Sequence, residues 1–93
     1  MTKEELSNLD KDKVLLVDIR EDYELQDKPP LPEAIHIPMG EIIKKAEGGE
    51  LPKDKKIITV CHSGGRCQIV NSALKQLGYR VDLLEGGMLG LEN

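Results

Sequence analysis

Two thiols, Cys61 and Cys67, are the soft nucleophiles of this 93-residue chain, and both stand in one run: Val60-Cys61-His62-Ser63-Gly64-Gly65-Arg66-Cys67. The thiolate, not the thiol, is the attacking species, so the question is what could ionise Cys61. Two adjacent glycines let the backbone curl until successive N–H groups point inward as a nest for an anion. A helix that opens at this point adds its free N–H groups and the positive end of its dipole, and the Arg66 guanidinium adds a full charge. Burial works in the opposite direction. A thiol with a pKa of about 8.5 is only about 3% ionised at pH 7, whereas one at about 6.5 is roughly three-quarters thiolate. A buried bystander cysteine is the alternative reading, since free cysteines are commonly buried. The glycines, the arginine and the position together favour a nucleophile.

Neighbouring groups carry less. A thiolate already ionised by a nest needs no general base, so His62, although a possible proton-transfer group by residue type, is expected to line the loop. Cys67 is expected to be a small residue facing the core, although a second thiol so close could resolve an oxidised or persulfidated Cys61 into a disulfide. His36 has no second ligand at metal spacing, and no metal site is expected. Asp18, Arg20 and Glu21 follow an apolar run, where they could brace the loop or touch substrate; for Glu21 a polar turn with a local ion pair is the expectation.

The elements that must position Cys61 follow from local pattern. Val14-Leu15-Leu16-Val17 and Ile57-Ile58-Thr59-Val60 are short apolar runs bounded by charged turns, which predicts buried parallel strands, and the second ends directly at Cys61. Residues 66–77 place Cys67, Val70, Leu74 and Leu77, joined by Ile69 and Ala73, at helical spacing, with Gly78 as the stop. Thr2 and Glu5 have the spacing of a capping box, predicting an opening helix of about two turns. Lys28-Pro29-Pro30-Leu31-Pro32 must be a loop. A short strand over 34–37, a helix over 40–46, a strand over 81–84 and a turn or helix over 88–91 complete the pattern. Strands alternating with helices predict an α/β fold, a small, mostly parallel sheet with helices on both faces, in one domain spanning 1–93. Ligands in such sheets sit beyond the carboxyl ends of strands, where Cys61 falls.

Composition narrows the partners. A formal charge of −4, with only Tyr23 and Tyr79 as aromatics, opposes nucleic-acid binding, which wants a basic face or stacking groups. No apolar run is long enough to span a bilayer, and the first residues lack the apolar region of a signal peptide, so a cytoplasmic, non-membrane protein is expected. Two cysteines are too few for a disulfide framework. A monomer is the expectation.

Four residues separate Cys61 from Arg66, whereas cysteine phosphatases enclose phosphate with a loop one residue longer. Cys61 to Arg66 resembles the active loop of the rhodanese family, Cys-x-x-Gly-x-Arg, with Gly64 and Arg66 matching. The resemblance continues through Leu16-Val17-Asp18-Ile19-Arg20-Glu21, Ala34-Ile35-His36-Ile37-Pro38 and Leu84-Glu85-Gly86-Gly87-Met88. It implies a rhodanese-like fold and a sulfurtransferase in which Cys61 takes a sulfane sulfur from a small donor such as thiosulfate. Cys61 would carry that sulfur as a persulfide and pass it to an acceptor thiol or thiol protein. No cofactor beyond that covalent sulfur is implied. The backbone of His62, Ser63, Gly64, Gly65 and Arg66 would hold the terminal sulfur, and Asp18 and Arg20 would brace the site. Compared with the family, the strand that usually precedes the first helix is missing, so the sheet is expected to be one strand short. The tryptophan that often follows the Gly-Gly pair is replaced near Leu91, and His62 and Gly65 are not the basic residues of many thiosulfate-preferring members. A phosphatase or arsenate reductase using Cys61 and Arg66, or a non-enzymatic interaction or redox-sensing module, are the competing readings.

Overall fold

The computed structural model describes residues 1–91. Its elements are α1 (Lys3–Leu6), β1 (Val14–Asp18), a 3-10 helix (Asp22–Gln26), β2 (Ile35–His36), α2 (Met39–Glu47), β3 (Lys56–Val60), α3 (Gly65–Gln76), β4 (Val81–Leu83) and α4 (Gly87–Gly90). The four strands form one sheet in the order β2-β1-β3-β4, and every pairing is parallel. All-parallel sheets need both faces covered, and the core divides accordingly. Val17, Ile19, Ile57, Cys61 and the buried residues of α2 and α3 pack on one face. Leu16, Ile58, Val60, Leu84 and Met88 pack on the other, with Leu6, Leu9 and Leu91 against them.

That division follows from the pleat: alternate residues of β1 and β3 point to opposite faces, and both faces are apolar. On α2 the buried positions are Ile42 and Ala46, and on α3 they are Cys67, Val70 and Leu74, each set one stripe of a helix. Ile69 and Leu77 fall outside this stripe, at 59% and 36% exposure, so the apolar face of α3 is narrower than the sequence pattern predicts. Gly78 adopts a left-handed conformation, φ 93°, just after α3, as its place predicts.

The opening helix has its capping box, with the Thr2 hydroxyl accepting from the Glu5 amide at 3.2 Å, but it runs for one turn rather than two. Asp10, Lys11, Asp12 and Lys13 give it no apolar face to extend. The sheet of the described residues has four strands with none ahead of α1. Met1 alone flanks β4, its nitrogen donating to the Leu83 carbonyl at 2.8 Å and its carbonyl accepting from the Glu85 amide at 2.9 Å.

The strand order places the site. The chain leaves β1 towards β2 and leaves β3 towards β4, in opposite directions, so the carboxyl ends of β1 and β3 flank the switch point of the sheet. Asp18 is in register with Val60, and the Ile19 amide donates to the Val60 carbonyl at 2.9 Å. Ile19 and Cys61 therefore leave the sheet side by side, with Arg20 the next residue of its strand's end.

Candidate active site

Cys61 is the first residue after β3 and is 1% exposed. Gly64 turns the chain with φ 102°, a left-handed value that strains any residue with a side chain, and α3 starts immediately after it. The Gly64 amide donates to Cys61 Sγ at 3.0 Å. The outside of the loop is tied down by α4: the Met88 amide donates to the Cys61 carbonyl at 2.8 Å and the Leu89 amide to the His62 carbonyl at 2.9 Å. With those carbonyls drawn outward, the peptide N–H groups are left to face the sulfur. Gly87 permits this approach, since a Cβ there would lie 2.7 Å from the His62 carbonyl oxygen.

The Cys61 thiol is held well below the ordinary range, at about 5. The largest cause is a hydrogen bond from the Cys67 side chain, joined by backbone N–H groups of Cys67, Gly64 and Arg66, while burial opposes them. Donors aimed at the thiolate favour the charged form. At pH 7 the sulfur is an anion. Cys67 is fully buried, and its own thiol is pushed far up because it keeps its proton to donate a hydrogen bond to Cys61 and is desolvated. Behind it, the Thr59 hydroxyl donates to Asn71 Oδ1 at 2.8 Å. Cys67 faces the core as the sequence predicts, and it is also a donor to the reactive sulfur, which spacing alone does not reveal.

Arg66 departs from expectation. Its guanidinium does not serve chiefly to ionise Cys61: Nη1 and Nη2 grip the two carboxylate oxygens of Glu24 at 2.6 and 2.8 Å. This pair drives the Arg66 pKa up, with the Cys61 charge a smaller contribution, and holds the Glu24 carboxyl down at about 2. The reason is placement: the 3-10 helix presents Glu24 to the first turn of α3, where a bidentate pair forms, partly buried. Glu24 lies 42 residues from Arg66 and was not among the residues picked out by sequence. Its only local signal is the spacing from Glu21, whose amide donates to Glu24 Oε1 at 3.1 Å. Glu21 is thus the cap of a helical turn.

Asp18 and Arg20 form a buried ion pair, 1% and 2% exposed, with Arg20 Nη2 at 2.7 Å from Asp18 Oδ2. Arg20 also donates to the carbonyls of Lys28 at 2.9 Å and Glu24 at 3.5 Å. They brace the wall that faces the Cys61 loop rather than the loop itself. His36 joins them, its Nε2–H donating to the Arg20 carbonyl at 2.6 Å, a histidine with its partner found. Among the described residues no cluster of His, Cys, Asp or Glu could hold a metal ion, and no helix is long and apolar enough to cross a membrane.

Between loop and wall lies a cleft of about 680 Å³, lined by His62 and Arg66 on one side, Tyr23, Glu24 and Asp27 on the other, with Leu89 of α4 at its edge. His62, Ser63 and Gly65 are exposed, and Gly64 is buried. A second cleft, of about 470 Å³ around Leu6, Leu9, Val14 and Leu31, has no cysteine in its lining.

The sequence pattern that defines the rhodanese-like domain matches residues 2–93. The chain belongs to that family. A Bacillus subtilis (strain 168) relative, provisionally named sulfurtransferase YtwF, is 38% identical over 81 residues, covering 87% of this chain and 76% of its own. A relative from Allochromatium vinosum named sulfurtransferase is 38% identical over 81 residues, covering 86% of this chain and 73% of its own. Among solved structures, a rhodanese-related protein from Thermoplasma volcanium superposes with a TM-score of 0.81 at 28% identity, over 99% of this chain and 89% of that one. This rhodanese domain has the α/β architecture expected of it.

Proposed function

We propose that this rhodanese domain is a sulfurtransferase working through a persulfide on Cys61. The observation that carries the reading is a thiolate at a strand end, with the Gly64 N–H 3.0 Å from its sulfur and its pKa held near 5. In the first half-reaction Cys61 attacks the outer, sulfane sulfur of a small donor, of which thiosulfate is the simplest. The donor's S–S bond breaks, its remainder leaves with the electron pair, and Cys61–S–S⁻ forms. Loop N–H groups that hold the thiolate are then available to the terminal sulfur, in the manner of an oxyanion hole. In the second half an acceptor thiolate, from a small molecule or a thiol protein, attacks that sulfur and returns Cys61 to its starting state. The names of the two sulfurtransferase relatives support this reading. No cofactor is needed, because the covalent sulfur is the intermediate, and a reducing cytoplasm would keep both cysteines as thiols.

Loop length weighs against a phosphatase, since four intervening residues make a smaller ring than a phosphate requires. Intact-mass spectrometry after incubation with sulfane donors tests the proposal. Wild type gains one sulfur and Cys61→Ser gains none. A wild type left unmodified by several donors, or turnover of an aryl phosphate, would sink it.

A further inference from the structure

Away from the Cys61 cleft, the edge of the sheet at β4 gathers bonding groups that the fold leaves unused. β4 is the last strand in the order. In the parallel ladder it shares with β3, the Ile57 amide donates to the Arg80 carbonyl at 2.9 Å and the Leu84 amide to the Thr59 carbonyl at 3.0 Å. That alternation turns the backbone of Asp82 towards β3 and the backbones of Val81 and Leu83 outward. Leu83 is already occupied: its amide donates to Asp82 Oδ1 at 2.7 Å, and its carbonyl accepts from the Met1 nitrogen at 2.8 Å. The Met1 carbonyl in turn accepts from the Glu85 amide, so Met1 makes the two contacts of a parallel neighbour. The edge accepts a strand beside it, and at Val81 the described residues supply none.

Val81 lies in a cleft of about 430 Å³ lined by Lys56, Lys75, Tyr79, Arg80 and Val81 itself. The lining holds three cations and no acid, in a chain whose net charge is −4. All three cations are exposed. Lys75 has no hydrogen-bond or ion-pair partner among the described residues, and Arg80 places Nη2 on the Asp54 carbonyl at 3.0 Å. The neighbouring carboxylate, Asp82, is engaged by the Met1 ammonium at 3.1 Å and by the Leu83 amide, and reaches Lys56 only at 3.9 Å. A lysine in the last turn of α3 suits the helix dipole. The dipole does not account for Lys56 and Arg80, which come from the start of β3 and the approach to β4.

We propose that the free edge of β4 is a docking site for an extended, acidic segment of a partner protein. The segment's backbone pairs with the Val81 amide and carbonyl, and its carboxylates meet Lys56, Lys75 and Arg80. Backbone pairing supplies affinity, and charge selects the partner. A second copy of this chain is a poor occupant, because pairing two β4 edges about a two-fold axis sets these cations against their own kind. A small anion is a poor one too, since it leaves the strand edge bare. Position gives the surface a use. Val81 is in register with Ile57, four residues before Cys61, so it lies about 13 Å along the strands from the level of the sulfur. A partner held there leaves the Cys61 cleft open and raises the local concentration of any group it presents to it. Nothing in this docking depends on the sulfur chemistry.

The test follows the backbone amide NMR shifts of the full, isotopically labelled chain as a peptide of alternating glutamate and valine is added. The largest shifts are expected at Val81 and its neighbours, with the Cys61 loop unmoved, and added salt should weaken the binding. The double variant Lys75→Glu and Arg80→Glu should bind about tenfold more weakly. Both side chains are exposed, and an amide spectrum unchanged away from β4 checks that the variant keeps its fold. The same peptide N-methylated along its backbone keeps the charge but loses its amide donors, and should also bind far more weakly. Equal binding of the N-methylated peptide would reduce the site to surface charge and overturn the proposal, as would a titration that leaves Val81 unmoved. Pyrophosphate shifting Lys75 and Arg80 where the peptide shifts nothing would make this a small-anion site. A dimer in sedimentation that Lys75→Glu disrupts would make it a contact between copies. Either result would overturn the acidic partner.

Discussion

On one side of the cleft the groups that face the sulfur are largely backbone, the amides of Gly64, Arg66 and Cys67, aimed by a strand end, a left-handed glycine and the start of α3. On the other side the groups are side chains: Glu24 on a 3-10 helix, held by Arg20, which is held by Asp18. The difference teaches where this site is robust and where it is adjustable. Backbone donors survive nearly any substitution and fail only when the chain is mis-aimed. A wall of charged side chains can be changed one member at a time, which suits it to setting specificity while the loop does the chemistry.

The largest effect should come from the wall. Asp18→Asn leaves the Arg20 guanidinium buried without its anion, and stability should fall by about 3–5 kcal/mol in urea unfolding. A loss below about 1 kcal/mol would show that the pair does not hold the wall. Next comes the loop's outer tie. Gly87→Ala drives a Cβ into the Cys61 and His62 carbonyls at φ 58°, and should cost about 2–3 kcal/mol together with much of the Cys61 reactivity. Gly86→Ala, whose Cβ meets Gly90 Cα at 3.2 Å, should cost less and leave the sulfur reactive.

A smaller effect isolates the one side-chain donor on the loop side. Cys67→Ala removes a hydrogen bond to an anion, about 1.5–3 kcal/mol, so the pH midpoint of Cys61 alkylation by iodoacetamide should rise by about one to two units. Cys67→Ser should restore most of it, which an effect of packing alone would not predict. The smallest effect concerns Glu24 and stability. Its folded pKa, about 2, lies below the ordinary 4.5, so the folded state binds this proton less tightly than the unfolded chain does. Its contribution is therefore complete above about pH 4.5 and is lost as the pH falls through about 2. The pair is partly open to solvent, so the contribution should be about 1 kcal/mol, and Glu24→Gln should flatten that part of the stability curve.

The loop side was legible in the sequence because its information is local. Apolar runs at 14–17 and 57–60, the Thr2–Glu5 capping box, the stop at Gly78 and the Cys61, Gly64 and Arg66 spacing each lie within a dozen residues. The wall was not. No periodicity marks the 3-10 helix at 22–26, which is short and has no buried residue of its own. Arg66 looked like a cation for the sulfur because the group that claims it is 42 positions away. Asp18 and Arg20 are expected from sequence to brace the loop, but what they hold depends on carbonyls of Glu24 and Lys28 that only the folded chain brings to them. Likewise the turn at Gly86 and Gly87 was legible as a turn, while its grip on the Cys61 and His62 carbonyls is purely tertiary.

In an unfolded chain Cys61 and Cys67 would both be ordinary thiols, largely protonated near pH 6. Folding sends them apart: one becomes an anion and the other is sealed away with its proton. A small electrophile able to enter the cleft should therefore label Cys61 faster in native molecules than in unfolded ones, the reverse of the protection that burial normally gives. At Cys67 the same reagent should report unfolding. The ratio of the two adducts on one chain would measure how much of a sample is native, with no external label and no reference sample.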